Sequence, residues 1–182
     1  MPFTELPIEK AFTLLEPGPV TLVTTNEHGR NNIMTITWHM VMDFTPKIAM
    51  ETGPWNYSFG ALMRTKECAV CIPAVDLAEK AVSIGCCSSS DTDKFKKFAL
   101  TPLPAHSIGA PLIGECVACI ECRVSDYIEE HGIFVLTGIR AYTNCERKER
   151  RTFHAKGDGT FSVDGAALDM RSLMAGKLPP GV

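Results

Sequence analysis

The sequence lacks the features that would direct a chain to a membrane or to nucleic acid. It has no apolar run of about 18 residues, the length that marks a spanning helix. The segment from Met1 to Pro7 has no basic start followed by an apolar run, so no signal peptide is expected. A net charge of −3 provides no basic surface for nucleic acid or for anionic lipid. We therefore expect a soluble, cytoplasmic protein that binds neither nucleic acid nor a membrane.

Several short functional motifs are also missing. The sequence contains no G-x-S-x-G, no G-x-x-x-x-G-K-[ST] and no G-x-G-x-x-G. These absences exclude the usual nucleophile elbow, phosphate loop and Rossmann fingerprint. The histidines do not cluster, and no pair is spaced as His-x-x-x-His. We therefore assign no catalytic residue and no metal ligand.

The chain has enough apolar sequence for a core. Its 182 residues, 45% of them hydrophobic, fit one domain over residues 1–182. Alternating or β-branched segments predict strands at 20–25, 32–40, 46–51, 67–72, 114–125 and 132–143. Helices are predicted at 57–64, at 75–84, from Ser90 or Asp91 to Leu100, and briefly near Arg171, with a loop at 101–111 and a hairpin-like stretch at 157–161. Because strands and helices do not alternate regularly, a barrel with helical inserts is favoured over a doubly wound sheet.

The strand segment NNIMTITW, residues 31–38, is the first stretch suited to a ligand. Period-two alternation places Ile33, Thr35, Thr37 and His39 on one face and Met34, Ile36, Trp38 and Met40 on the other. A face that mixes hydroxyls with apolar groups suits a flat ring with polar edges, such as a flavin. On periodicity alone, however, an ordinary half-buried strand is the commoner explanation.

The second stretch is GCCSSSDTDKF, residues 85–95, in which three serines precede a helix start. Free backbone N–H groups, hydroxyls and the ammonium of Lys94 would form an anion site that fits a phosphate. The alternative is that a serine or aspartate only caps the helix while Lys94, Lys96 and Lys97 are solvated. Without further information, this alternative is favoured.

The third stretch is the turn at residues 53–58, which leads into a helix. Asn56 and Ser58 can donate to the same anion, and Trp55 or Tyr57 can border a ring. Equally, Asn56 or Ser58 can serve as nothing more than a helix cap.

Eight cysteines are many for a cytoplasmic protein, and some are spaced as in metal sites. Cys68 and Cys71 lie in an apolar strand, where residues three apart face opposite sides. The same geometry divides Cys116, Cys119 and Cys122, two to one side and one to the other. We therefore interpret these cysteines as small core residues rather than as metal ligands or a redox pair.

Taken in order, several segments resemble the flavin reductase-like family of FMN-binding split barrels, which includes flavoredoxins. The resembling segments are PGPVTLVTT at 17–25, NIMTITW at 32–38, DKF at 93–95 after a Gly-x-x-Ser at 85–88, PLI at 111–113 and ECRV at 121–124. Together they span about residues 7–145, most of the chain. The resemblance implies a mainly β fold, a split β-barrel of Greek-key type with short peripheral helices.

The resemblance also implies a cofactor, partners and site residues. The cofactor is FMN, the electron donor is NAD(P)H, and the protein is a homodimer with FMN near the subunit interface; a flavoredoxin would add a protein electron partner. Carried over by position, the cofactor-binding residues are Asn32, Met34, Thr35, Ile36, Thr37, Trp38, Asn56, Tyr57, Ser58, Ser88, Ser89, Ser90 and Lys94. Of these, residues 35–37 would meet the flavin ring, partly by backbone, and Ser88 and Lys94 would bind the phosphate.

One departure from the family pattern concerns the phosphate loop. The family commonly has Ser-Gly-Arg before the aspartate, whereas this chain has Ser88-Ser89-Ser90. Loss of a charge-assisted partner costs about 1.5–3 kcal/mol. Either FMN binds more weakly, or another cation compensates.

The leading interpretation is thus an FMN-dependent flavin reductase or flavoredoxin-like electron carrier, which needs no acid–base residue of its own. Two alternatives remain open. The barrel can serve as a flavin-binding module without catalysis, or the cysteines can form a metal or redox centre. The second alternative ranks last because strand geometry separates the thiols.

Overall fold

The computed structural model describes residues 2–179, and its main feature is a curled antiparallel sheet of eight strands. In chain order the strands are β1 Phe3–Leu6, β2 Thr21–Glu27, β3 Arg30–Ile36, β4 His39–Val41, β5 Lys47–Glu51, β6 Glu67–Ile72, β7 Pro102–Leu103, β8 Leu112–Ile113, β9 Ala118–Ile128, β10 Ile133–Asn144, β11 Phe153–Ala155 and β12 Phe161–Val163. The main sheet runs β3-β2-β6-β9-β10-β5-β4, with β1 also paired to β10. Strand β7 pairs with β8, and β11 pairs with β12.

The helices are short and peripheral. The α-helices are α1 Ser58–Thr65, α2 Ala78–Gly85 and α3 Lys94–Lys97, and 3-10 turns cover Ile8–Leu14, Val75–Leu77 and Glu129–His131. The prediction of a mainly β fold with short peripheral helices is therefore confirmed. In the part of the chain that the structure covers, no helix combines the length and apolar character needed to cross a bilayer.

The longest strand, β10, curls the sheet because it changes neighbours along its length. Its first half pairs with β5 and its last residues pair with β1, while β9 follows its other edge. The register with β9 shifts between Gly138 and Arg140, and such bulges bend a strand. A Cβ added at Gly138 would come within 3.1 Å of both Ile120 and Pro46. Glycine therefore allows the close approach at the bend.

Two hydrophobic clusters occupy opposite faces of the β2–β6–β9 ladder. The barrel cluster includes Val23, Met34, Val70, Ile120 and Phe134. The helix cluster, which packs under α2 and α3, includes Leu22, Ile33, Ile84, Phe95 and Cys119. Because both faces of these strands are buried, their sequences are apolar at nearly every position and do not alternate strictly between apolar and polar residues.

The buried cysteines divide between the two clusters. Cys68 lies opposite Cys122 in the barrel cluster, and Cys71 lies opposite Cys119 in the helix cluster. The prediction that cysteines three residues apart on a strand lie on opposite faces of the sheet is thus confirmed for Cys68 and Cys71 and for Cys119 and Cys122. The predicted position of Cys116 on the same strand is wrong, because β9 begins only at Ala118, and this residue joins the helix cluster.

Two strand predictions need correction. The segment 32–40 is not one strand: β3 ends at Ile36, and β4 begins at His39. The reason is topological, since β3 pairs with β2 while β4 pairs with β5 at the other edge of the sheet. The predicted strand 114–125 begins four residues before the observed one, because residues 114–117 form a turn before β9.

Two helix predictions also fail. Only residues 94–97 of the segment 90–100 are α-helical, and the cap is Asp93, whose side chain accepts the Lys96 N–H at 3.1 Å. Residues 171–177 form turns rather than a helix. The hairpin near residues 157–161 is confirmed as the β11–β12 connection.

Candidate functional site

The break between β3 and β4 leaves a cavity of about 190 Å³ at the edge of the sheet. We call it the strand cavity; its lining residues are Thr35, Ile36, Thr37, Trp38, Glu51, Thr52, Trp55 and Asn56. They come from the end of β3, the end of β5 and the turn before α1. The topology therefore brings together segments that lie about 15 to 20 residues apart in the sequence.

A second cavity, of about 330 Å³, adjoins the first. We call it the loop cavity; its lining residues are Asn32, Trp55, Asn56, Tyr57, Gly85, Cys86, Cys87, Ser88 and Lys94. Trp55 and Asn56 line both cavities, so the two form neighbouring parts of one site. The serine loop, defined as residues 86–93, forms one wall of the loop cavity.

Asn32 connects the elements around the loop cavity. Its Nδ2 donates to Oγ of Ser58 at 2.7 Å, at the start of α1. Its Oδ1 accepts the hydroxyl of Ser89 in the serine loop and, at 2.7 Å, the N–H of Ile33. One buried amide thus ties β3, α1 and the serine loop together. Ser58 and Ser89, both buried, lie behind the cavity wall rather than on it.

Lys94 is buried, which contradicts the alternative of a solvated lysine. The residue is only 6% exposed, and its Nζ donates to the carbonyls of Ile33 at 2.9 Å and Ile84 at 3.0 Å. Burial lowers the pKa of Lys94, and the nearby Cys87 thiol opposes this shift. Since an ammonium has three N–H donors, one remains for a ligand in the loop cavity.

Thr35 lies on the same face of β3 as Ile33, as alternation predicts, and this face packs against α2. Its hydroxyl donates to the carbonyl of Ala81 in α2 at 2.6 Å. Gly85, at the end of that helix, lies beside Thr35, and an added Cβ would be in ordinary van der Waals contact with the Thr35 Cβ at 3.4 Å. The Thr35 hydroxyl is therefore occupied by the fold, and other atoms of Thr35 remain for a ligand.

Thr52 has a buried polar atom without a partner. The residue is 1% exposed and lines the strand cavity, and its Oγ1 makes no hydrogen bond within residues 2–179. Buried hydroxyls are nearly always bonded, and an unsatisfied one costs about 1–3 kcal/mol. A polar ligand group in the strand cavity would satisfy this hydroxyl.

The structure brings most of the predicted site residues together. Those that line the two cavities are Asn32, Thr35, Ile36, Thr37, Trp38, Asn56, Tyr57, Ser88 and Lys94. Met34 instead belongs to the barrel cluster, and Ser58 and Ser89 act through Asn32. Ser90 is exposed, and its N–H donates to Oγ of Ser88 at 3.2 Å, which shapes the loop.

Other lining residues fall outside the cofactor-binding set carried over from the family, although the sequence indicated that one of them, Trp55, can border a ring. These are Glu51, Thr52, Trp55, Gly85, Cys86 and Cys87. The last three adjoin the serines in sequence, so proximity to the loop motif is a signal for them. Glu51 ends β5, Thr52 follows it, and neither belongs to a motif, so nothing in the sequence marks them as lining a cavity.

Beyond Trp55 lies a third and wider cavity of about 660 Å³. Phe59, Met63 and Tyr127 give it an apolar wall, and Glu129 and Glu130 lie at its border. Its acidic border makes it unsuited to a phosphate, in contrast to the loop cavity with Lys94.

The chain belongs to the flavin reductase like domain family, whose model matches residues 14–160. A crystal structure from Shewanella baltica, described as an FMN-binding domain of a flavin reductases-like enzyme, is 18% identical, with a TM-score of 0.85 over 92% of this chain and 96% of that chain. The flavoredoxin of Desulfovibrio vulgaris is 24% identical, with a TM-score of 0.76 over 84% of this chain and 89% of that one. These likenesses confirm the predicted split-barrel fold.

Sequence relatives include two uncharacterized archaeal proteins. One from Archaeoglobus fulgidus is 29% identical over 107 residues, which make up 57% of this chain and 60% of the relative. One from Pyrococcus abyssi is 25% identical over 140 residues, or 75% of this chain and 80% of the relative. The chain thus spans less than two thirds of the Archaeoglobus protein. Family and fold together place the chain among the flavin reductase-like proteins.

Proposed function

We propose that the protein binds FMN across the strand and loop cavities and acts as an FMN-dependent oxidoreductase. It would be either an NAD(P)H-dependent flavin reductase or a flavoredoxin-like electron carrier. The observation that carries the proposal is the unpartnered Thr52 hydroxyl, which is buried at the strand cavity and is suited to a polar ring edge. The adjoining loop cavity supplies the donors that a phosphate needs.

The two cavities suit different parts of FMN. In the loop cavity, Ser88, Asn56 and the remaining N–H of Lys94 would hold the phosphate. In the strand cavity, residues 35–38 and Thr52 would hold the ring, with apolar contact from Ile36 and hydrogen bonding from Thr52. Asn56, which lines both cavities, would contact the part of the cofactor between the phosphate and the ring.

When bound, FMN would supply hydride chemistry at its N5 atom, with a reduced nicotinamide as donor. The residues of this chain would bind and orient the cofactor, and none is needed as a general acid or base. Buried Lys94 would supply positive charge close to the phosphate at little conformational cost, because two carbonyls already fix its position.

An absorbance spectrum of the purified protein, followed by titration with FMN, tests the cofactor. We expect the bands of oxidised flavin in the purified protein, or saturable binding at micromolar FMN. A protein that is purified without flavin and binds none at that concentration would refute the proposal.

Steady-state oxidation of NADH and NADPH, with and without excess FMN, separates the two forms of the activity. A reductase of diffusible flavin should oxidise one of the two donors faster when free FMN is added. A flavoredoxin should retain its FMN and show no such dependence. Bound flavin with no turnover by any donor would instead favour the non-catalytic flavin-binding module.

A homodimer in the cytoplasm completes the proposal. Trp38, Met40, Met42 and Phe44 form an exposed apolar surface at and around edge strand β4, next to the strand cavity. Exposed apolar patches of this kind commonly mark interfaces. All eight cysteines are free thiols, in keeping with a reducing compartment. Sedimentation of the wild type and of Phe44→Ser tests the dimer, and we expect the variant to shift toward monomer.

The cysteine-based metal protein receives little support. The buried thiols are divided between two faces of the sheet. Among residues 2–179, no group of three or more His, Cys, Asp or Glu side chains is arranged to hold a metal ion. Elemental analysis for zinc and iron tests this alternative directly.

A further inference from the structure

The serine loop has the wrong charge for a phosphate site. Residues 86–93 contain no lysine or arginine, and they include the carboxylates of Asp91 and Asp93. Lys94 follows the loop, but two of its three donors are bonded to main-chain carbonyls. A loop of net negative charge repels an anion unless a cation nearby offsets it. A second cation at this loop, besides Lys94, would therefore favour the binding of a phosphate there.

Arg30, the first residue of β3, contacts this loop from outside the loop cavity. Its Nη2 donates to the carbonyl of Ser89. Its Nη1 donates to the hydroxyl of Tyr57 at 3.0 Å, and the guanidinium lies 5.4 Å from the centre of the Tyr57 ring. Among the described residues, Arg30 is the arginine whose side chain bonds to the serine loop.

Arg30 bonds to Tyr57, which lies on one wall of the loop cavity, and to Ser89, which lies directly behind the opposite wall. Tyr57 lines it from the turn before α1, and Ser88, which directly precedes Ser89, lines it from the serine loop. The planar fork of a guanidinium suits two acceptors at a fixed separation, which the point charge of a lysine does not match. Arg30 thus sets the distance between the two walls, while Asn32 ties the same loop to α1 from the buried side.

We propose that Arg30 is the positioning residue for the phosphate of FMN. It fixes the serine loop against Tyr57, and its charge offsets those of Asp91 and Asp93. This inference rests on the proposed FMN site but concerns the phosphate end alone. It assigns to β3 the cation that the serine loop itself lacks.

The test compares FMN with riboflavin, which has the same ring and no phosphate. Dissociation constants for both are measured by quenching of flavin fluorescence for the wild type, Arg30→Gln and Arg30→Lys. We expect Arg30→Gln to weaken FMN binding about tenfold and riboflavin binding less than about twofold, a loss that corresponds to about 1.4 kcal/mol for the phosphate. Arg30→Lys should recover only part of the loss, because it keeps the charge but not the fork.

One further variant is a control, and another tests the Arg30 contact independently. Arg64→Gln removes an exposed arginine that pairs with Glu27 and does not touch the serine loop, so it should bind both flavins like the wild type. Tyr57→Phe removes only the hydroxyl that accepts from Arg30, and it keeps the test informative if Arg30→Gln fails to fold. It should lower FMN affinity by a few-fold and lower riboflavin affinity by a smaller factor.

Three results would overturn the inference. These are an unchanged ratio of FMN to riboflavin affinity in Arg30→Gln, wild-type FMN binding by Arg30→Lys, and an equal loss in Arg64→Gln. Failure of the proposed function is distinguishable from all three, because the wild type would then bind neither flavin.

Discussion

Replacing Lys94 by methionine tests whether this lysine holds the fold as well as a ligand. Methionine keeps most of the side-chain volume but removes the ammonium that donates to Ile33 and Ile84. These two bonds join β3 to the end of α2, so their loss leaves two carbonyls without a strong donor. The chain contains a matched control, Lys96→Met, in the same helix but with an exposed side chain.

The magnitude follows from the two bonds and from the cost of burying the charge. Hydrogen bonds to a charged group contribute about 1.5–3 kcal/mol each. The wild type gives up part of this in removing the ammonium from water, the same cost that lowers the pKa of Lys94. We therefore expect Lys94→Met to lower the free energy of unfolding by about 2–4 kcal/mol. At about 2–4 °C per kcal/mol for a chain of this length, Tm should fall by about 5–15 °C.

Urea unfolding followed by circular dichroism measures the difference between Lys94→Met and Lys96→Met. The control should lie within about 0.5 kcal/mol of the wild type, as surface substitutions usually do. Equal stabilities of the two variants would refute the structural role of Lys94. FMN titration of both variants, well below their Tm, then separates the lost ligand contact from the lost stability.

Three further predictions concern the other buried polar groups and the thiols. Thr52→Val should leave Tm unchanged or slightly raised, because the lost hydroxyl has no partner, yet it should weaken flavin binding several-fold; unchanged binding would remove Thr52 from the site. Burial lowers the pKa of His39 from 6.5 despite its bond to the Pro19 carbonyl. His39 is therefore protonated at a higher pH in the unfolded state than in the folded state. The free energy of unfolding should therefore fall as pH drops below about 6.5, by at most about 1.4 kcal/mol per pH unit, and His39→Gln should lose this dependence when both are unfolded at pH 7.5 and 5.5. A thiol reagent should react at once with Cys86, Cys87 and Cys145 and with the five buried cysteines only after denaturation; rapid reaction of all eight in the native protein would contradict the buried positions.

Much of the fold followed from local patterns. The strands at 20–25, 46–51 and 67–72 and the helix at 57–64 lie close to their observed bounds, since each is a short run with turn residues on both sides. The bounds failed where distant pairing decides them. Residues 32–40 look continuous, but their two halves pair with different strands at opposite edges of the sheet.

The candidate site shows the same division. The serine loop, Lys94 and residues 35–38 became candidates through the resemblance to the flavin reductase-like family, because their residue types alone favoured an ordinary strand and a helix cap. Three contacts depend on residues 46 to 61 positions away in the sequence. They are the bond from Lys94 to Ile33, the bond from Thr35 to Ala81 and the bond from Arg30 to Ser89. A local pattern carries no information on such contacts.

By itself the sequence determined a mainly β chain with short helices, because strand periodicity and turn residues are local properties. Only the tertiary structure decided which donors remain free for a ligand. Two of the three N–H donors of Lys94 bond to main-chain carbonyls, and the Thr52 hydroxyl has no partner among the described residues. The side chain of Arg30 bonds to the serine loop. The physical reason is that a buried polar group must find a partner in three dimensions, and the chain's topology determines which partner is within reach.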